Sequence, residues 1–339
     1  MEVIVLLVVC HHLLIDGVSW RVLLADLQLV YRQLATNGRA EMLPPTSSVL
    51  SWLNALATRT QTETEEAFWR RMEDGSSQFR LPRDQPDGSN RMGDARSILI
   101  DFDSEETRRL IREVPKHYSI RVDELLIAAL VRTVGDWTGH SSVAIQLESH
   151  GRDPTEGIDL SRTVGWLTAL YPVLLPGPAE IGKLLKETKE VLRNIPGAGI
   201  GYSLHHGADE NDEKAPLPDL RFNYLGQADP LFGHEDSLFG RASEPTGTAR
   251  HADDPRDVVF ELNALVSGGQ LSIHWLYGSE LHDEATVQSL ASGFRQEVSN
   301  LMNHCLNPES GPGYVPSEFP QMDFEPDELD KILDDLESF

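Results

Sequence analysis

The feature that most narrows the fold lies toward the C-terminal end. Two stretches near residues 258–266 and 270–277 are joined at Gly268-Gly269 and precede a long amphipathic run over about 284–304. Paired glycines between two such stretches favour a hairpin turn, because glycine takes positive φ at no steric cost. Val287, Leu290, Phe294, Val298 and Leu301 recur at helical spacing and need an apolar layer to cover.

Similar patterning runs through the rest of the chain. It gives a strand over 97–102 and a helix opened by Ser104 as N-cap, with Glu105 and Glu106 in its first turn. A stronger helix runs from about Asp123 to Trp137 and closes at Gly139. Further strands fall at 142–147, 171–175 and 221–225, and another helix near 179–193. At the front, Val3 to Val9 reads as a buried strand. A helix carrying Leu23, Leu24, Leu27, Val30 and Leu34 follows and stops at Gly38. A Pro-containing loop over 40–48 leads to a helix ending near Met72, and 73–95 reads as a surface connection. Strands and helices mix without strict alternation, so the expected class is mixed α/β or α+β. Beyond Gly311 the tail is Pro-rich and then acidic. Leu329, Ile332, Leu333 and Leu336 suggest a short terminal helix docking on its own domain.

The 339 residues allow two domains or lobes with a sizeable core. Acidic residues outnumber basic ones 54 to 29, for a formal charge of -25, which argues against nucleic acid as a partner. Cys10 and Cys305 form no disulfide framework, which fits a reducing cytoplasm. Residues 3–9 are too short to span a bilayer and follow Glu2 instead of a basic leader, so neither a membrane anchor nor a signal peptide is expected.

Five short motifs carry possible chemistry. His11-His12 stands before Asp16-Gly17, at a strand-to-turn-to-helix junction. Imidazole moves protons near neutral pH without large tuning, yet a buried, hydrogen-bonded pair is the simpler reading of two histidines in isolation. No third ligand at helical spacing and no HExxH or Cys-pair pattern supports a metal. Asp16 suits a helix cap or an arginine partner. Glu148-Ser149-His150-Gly151-Arg152 ends a strand with a carboxylate, a turn glycine and a cation. Gly165-Trp166, within RTVGWLTALYPVLL, reads equally as packing. PGAGIGYS (196–203) lacks the Lys-Ser/Thr ending of a phosphate loop, so its glycines point to a close backbone approach, to another segment or to a ligand. RFNYLGQ (221–227) places Asn223 and Tyr224 in a strand, and His205-His206 reads as solvated loop.

In sequence order, HHLLIDGVSW, DELLIAAL, ESHGRD, RTVGWLTALYP, PGAGIGYS and RFNYLGQ resemble the motif series of epimerization domains of nonribosomal peptide synthetases. These belong to the condensation-domain superfamily, and the resemblance covers essentially the whole chain. It implies a two-lobe, chloramphenicol-acetyltransferase-like fold with the N-terminal lobe incomplete. Residues 1–95 would be a partial N-terminal lobe, 96–310 the C-terminal lobe, and 311–339 an exit linker with an acidic terminal helix. Relative to the family, the stretch before the histidine motif is short. The HHxxxDG pattern is common to the superfamily, whereas Glu148 in its setting, RTVGW and FNYLGQ are typical of the epimerization branch.

The activity implied is inversion, L to D, of the α-carbon of an aminoacyl or peptidyl thioester held on a carrier domain. By resemblance, His12 and Glu148 flank that carbon as acid/base groups. His11, Asp16, Gly17, Arg152, Trp166, Asn223 and Tyr224 support them. No metal and no directly bound cofactor is implied, since the phosphopantetheine arm arrives with the carrier domain. Neighbouring synthetase domains are the other expected partners. A condensation domain, or a non-catalytic fragment that binds a carrier domain, are the alternatives. Ser149 stands where the family usually has Gly, and Leu167 where an aromatic is common.

Overall fold

The computed structural model describes residues 5–153, 157–205, 217–227, 238, 240, 242, 244–319 and 321. Its frame is one six-stranded mixed sheet: β1 (Ala95–Asp101), β2 (Ser142–Ser149), β3 (Ala169–Pro176), β4 (Leu220–Gln227), β5 (Phe260–Ser267) and β6 (Gln270–Gly278). The spatial order is β1-β6-β5-β4-β2-β3. β4 runs parallel to both β5 and β2, and every other pairing is antiparallel. The β5–β6 hairpin turns at Gly268 and Gly269, both at positive φ, as their sequence requires.

Alternation along each strand gives the sheet two unlike faces. Ile98 and Ile100, Val143 and Ile145, Phe260 and Leu262, and Ile273 and Trp275 are buried on one of them. Three helices, α6 (Val122–Thr138), α7 (Ile181–Arg193) and α9 (Glu284–Cys305), pack together over that face. Phe294 of α9 meets the Trp275 ring edge-on, with centroids 6.1 Å apart. The opposite face carries Leu99, Glu148, Asn223, Asn263 and His274, which are half-buried or exposed.

The remaining helices among the described residues are α1 (Gly17–Asn37), α2 (Val49–Thr58), α3 (Glu63–Ser77), α4 (Ser104–Arg108), α5 (Val114–Tyr118) and α8 (Ile200–His205). α4 runs into α5 through a π-helical turn, Arg109–Glu113, just before Pro115. Proline lacks the N–H that would close an α-turn and crowds the carbonyl four residues back, so the ladder widens there. Gly38 and Gly139 end α1 and α6 in the left-handed conformation. The C-terminal segment is fastened by charge. Glu318 takes hydrogen bonds from the buried Lys189 Nζ at 2.7 Å and from Ser119 Oγ at 2.5 Å, and it pairs with Arg193 at 2.8 Å.

Several elements differ from their sequence reading. Residues 5–9 form no strand and are exposed, Leu6 at 65% and Val9 at 80%. They pair with no strand among the described residues. The helix expected up to Met72 is two helices, α2 and α3, separated at 59–62 where Thr62 caps the second. The N-cap of α4 is Asp103 rather than Ser104, and a reciprocal bond from Asp103 N–H to Glu106 completes a capping box. The terminal helix read from Leu329 to Leu336, and His206 of the second histidine pair, lie outside the described residues. Residues 5–77 add helices but no second sheet among the described residues.

Candidate active site

The site is assembled around Asp16, which is buried at 2% exposure. Asp16 caps α1: its Oδ1 accepts from Ser19 N at 2.8 Å and Ser19 Oγ at 2.7 Å. Arg152 closes on the same carboxylate with two parallel bonds, Nη1 to Oδ2 at 2.7 Å and Nη2 to Oδ1 at 2.9 Å. This fork-on-carboxylate geometry is directional, so it fixes orientation as well as contact. Leu167 N–H donates to Asp16 Oδ2 at 3.1 Å, and Arg152 Nη2 also reaches Thr163 O at 3.0 Å. Burial alone would push Asp16 up. The bonds from Arg152, Ser19 and the Ser19 and Leu167 amides outweigh it and hold the carboxyl below its ordinary value.

Ser19 joins the three motifs that carry Asp16, Arg152 and Gly165. Its Oγ, whose one hydrogen goes to Asp16, lies 2.9 Å from Gly165 O and accepts from Gly165 N–H at 3.0 Å and from Arg152 Nη2 at 3.1 Å. The motif pattern does not single this residue out, although a serine three positions after a capping aspartate is a usable signal. Gly151 sits at φ 62°, and a Cβ there would lie 1.7 Å from Leu167 O. The turn between Glu148 and Arg152 can therefore approach the Trp166 segment only as glycine.

His11 and His12 are both exposed, so they are not a buried pair at a strand end. The His11 ring caps the short turn His12–Leu14 by accepting from Leu13 N–H at 3.1 Å. The His12 ring lies beside Trp166, with centroids 5.9 Å apart and planes tilted by 59°. Trp166 is 47% exposed and so is not core packing, whereas Leu167 is buried with Trp52 and Leu160 in a small second core. Gly17 is the exposed first residue of α1, with open space where a Cβ would be.

Glu148 is the last residue but one of β2, half-buried on the face opposite α6, α7 and α9. Asn223 Nδ2 donates to its Oε2 at 3.1 Å. Burial pushes the carboxyl above its ordinary value. Arg221 and His12 oppose that rise electrostatically, and Glu261 and Asp257 add to it. Arg221 is itself occupied, bonding Gln146 Oε1 at 2.9 Å and Asp257 at 2.6 Å. A carboxyl with an elevated proton affinity, close enough to an imidazole to feel its charge, is chemically able to exchange protons with a bound substrate.

Tyr224 is not brought to this place. It falls on the other face of β4 and packs against the main core, where burial raises its hydroxyl. The PGAGIGYS glycines meet protein: a Cβ on Gly201 would lie 1.9 Å from Glu65 Oε1, and one on Gly199 would lie 2.0 Å from the Tyr171 ring. Among the described residues no group of three His, Cys, Asp or Glu is placed to hold a metal, and no helix is long and apolar enough to cross a membrane.

Residues 2–322 match the Condensation domain family. The chain is 35% identical over 337 residues to one of the subunits of the linear gramicidin synthase of Brevibacillus parabrevis, covering 97% of this chain and 6% of that protein. It is 32% identical over 340 residues to surfactin synthase subunit 1 of Bacillus subtilis (strain 168), covering 97% and 9%. The chain thus spans less than a tenth of these curated relatives. Among solved structures, the epimerization domain from the third module of tyrocidine synthetase B superposes with a TM-score of 0.77 at 29% identity, covering 87% of this chain and 68% of that one. The first condensation domain of the CDA synthetase superposes with a TM-score of 0.62 at 15% identity, covering 89% and 65%, a likeness of fold.

Proposed function

The chain belongs to the condensation-domain family, and on that premise we propose that it epimerizes the α-carbon of an aminoacyl or peptidyl thioester delivered by a carrier domain of a nonribosomal peptide synthetase. The observation that carries the reading is Glu148. It is a desolvated carboxyl with raised proton affinity, held by Asn223 within electrostatic range of His12. Peptide-bond formation at the histidine motif has no need of such a group. Likeness to an epimerization domain at a TM-score of 0.77 supports the same branch.

The chemistry needs two groups. A thioester acidifies the adjacent C–H. One of Glu148 and His12 takes that proton, leaving an enolate, and the other returns a proton to the opposite face. No electrons are gained or lost and no bond to sulfur breaks. Asp16, Arg152 and Ser19 act through position, because they bind the turn carrying His12 to the strand end carrying Glu148. The pantetheine arm would come with the carrier domain, and the neighbouring synthetase domains would supply and consume the thioester. A cytoplasmic setting follows from the same reading.

The test is α-deuteration in D₂O of an L-aminoacyl or L-peptidyl carrier domain by the protein, read together with the D/L ratio. Wild type is expected to exchange, and Glu148→Gln and His12→Ala each to lose about a hundredfold or more. Exchange that survives Glu148→Gln would refute the two-group reading. Peptide formation with an amine acceptor and no exchange would assign the chain to condensation.

A further inference from the structure

Glu148 is not alone on the face opposite α6, α7 and α9. It stands in a rung that crosses the sheet from strand to strand. Asn223 lies beside it on β4, Asn263 faces Asn223 from β5, and His274 faces Asn263 from β6. We propose that the row Asn223–Asn263–His274 binds the upstream amides of a peptidyl thioester whose reacting α-carbon lies at Glu148, so that the substrate is a peptidyl chain and not a single aminoacyl group. This rests on the proposed epimerase reading and goes further by naming the substrate class.

Three observations carry it. The first is position: the row leaves Glu148 and continues without interruption over three adjacent strands, all on the face opposite α6, α7 and α9, beyond the β2–β3 edge where α3 packs. The second is span. Neighbouring strands lie ~4.8 Å apart, so Glu148 to His274 is ~14 Å, about the length of four extended residues. The third is chemistry. Asn223 and Asn263 are neutral and carry both a donor and an acceptor, which suits peptide N–H and C=O groups. Each uses its amide N–H₂ within the sheet, Asn223 toward Glu148 at 3.1 Å and Asn263 toward Glu261 Oε1 at 3.1 Å. Their carbonyl oxygens accept no hydrogen bond among the described residues. His274 is exposed, with one ring nitrogen 3.4 Å from Ser97 Oγ and the other without a hydrogen-bond partner among the described residues. A sheet face evolved only for solvation would have no need to line up polar, mostly uncharged side chains in register with the candidate acid/base group.

The experiment compares two carrier-bound thioesters that end in the same residue, one aminoacyl and one tetrapeptidyl, with wild type, Asn263→Leu and His274→Leu. Loss of one or two amide hydrogen bonds lowers the peptidyl-to-aminoacyl ratio of kcat/KM by about tenfold. An equal ratio in wild type and variants would overturn the proposal, as would a wild-type preference for the aminoacyl substrate. If wild type exchanges neither substrate, the epimerase reading fails and the strip is judged by binding alone. Fluorescence polarisation with a dye-labelled tetrapeptidyl pantetheine thioester then shows binding weakened about fivefold in each variant. Unchanged binding defeats the strip. His274 is exposed, so its variant keeps the test open should Asn263→Leu fail to fold.

Discussion

Helices α1 and α6 look alike in sequence and are held by different physics. Both are amphipathic and both end at a left-handed glycine. α6 buries ten of its 17 residues, whereas α1 buries only Ser19 and Val22 of its 21. Leu23, Leu27 and Leu34 of α1 are 37%, 39% and 50% exposed. What fastens α1 is polar: Asp16 on Arg152, Asp26 on Arg162, and Arg21 donating to Leu225 O at 2.7 Å. An apolar interface spreads its energy over many contacts and is indifferent to direction. A charged fork concentrates both energy and orientation in a few atoms, which suits a helix whose first turn carries candidate site residues.

That contrast can be broken at either end. The largest effect is expected from Leu130→Ala in α6, which removes a fully buried side chain and costs about 4 kcal/mol. Urea unfolding should show it as a shift of the whole transition. Arg152→Leu strands a buried carboxylate and costs about 3 kcal/mol. Here the loss should be local: amide exchange rises across 17–37 while α6 stays protected. Uniform loss of protection would mean that α1 is not separately anchored. Acid should act on the same anchor. Asp16 is held below its ordinary value, so its contribution is present above that value and is lost as pH falls through the lowered one. Exchange in α1 should accelerate there before α6 responds.

Glu148 has the opposite sign and a smaller effect. Its raised carboxyl favours the fold at low pH, and that contribution disappears as pH rises through the raised value. Glu148→Gln should therefore stabilise the protein near pH 7 by about 0.5–1 kcal/mol in denaturation, while cutting the proposed α-proton exchange about a hundredfold or more. A less stable variant would place Glu148 among structural groups. The smallest effect is Leu27→Ala, within about 0.5 kcal/mol, because the side chain already meets solvent. A cost like that of Leu130→Ala would show that α1 relies on apolar contact after all.

Much of the frame was legible because the local rules agree with one another. Gly268-Gly269 could only turn, Gly38 and Gly139 could only stop helices, and the α9 stripe needed a sheet to cover. Local rules misled where a neighbour decides. Residues 5–9 have the composition of a strand, but a strand exists only with an edge to pair with. Asp103 displaced Ser104 as cap because one residue earlier its carboxylate reaches two amides, Glu105 N–H at 2.9 Å and Glu106 N–H at 2.8 Å.

The sequence by itself determined most of the elements, the family resemblance and the residue types able to move a proton. Tertiary structure alone decided their company. Asp16 and Arg152 are 136 residues apart and meet as a buried fork, and Asn223 comes to Glu148 while its neighbour Tyr224 turns into the core. Spacing along a chain records periodicity within one element. Which side chains share a cleft depends on strand order and on the face each strand presents. Here the parallel placement of β4 between β2 and β5, and no local pattern, set both.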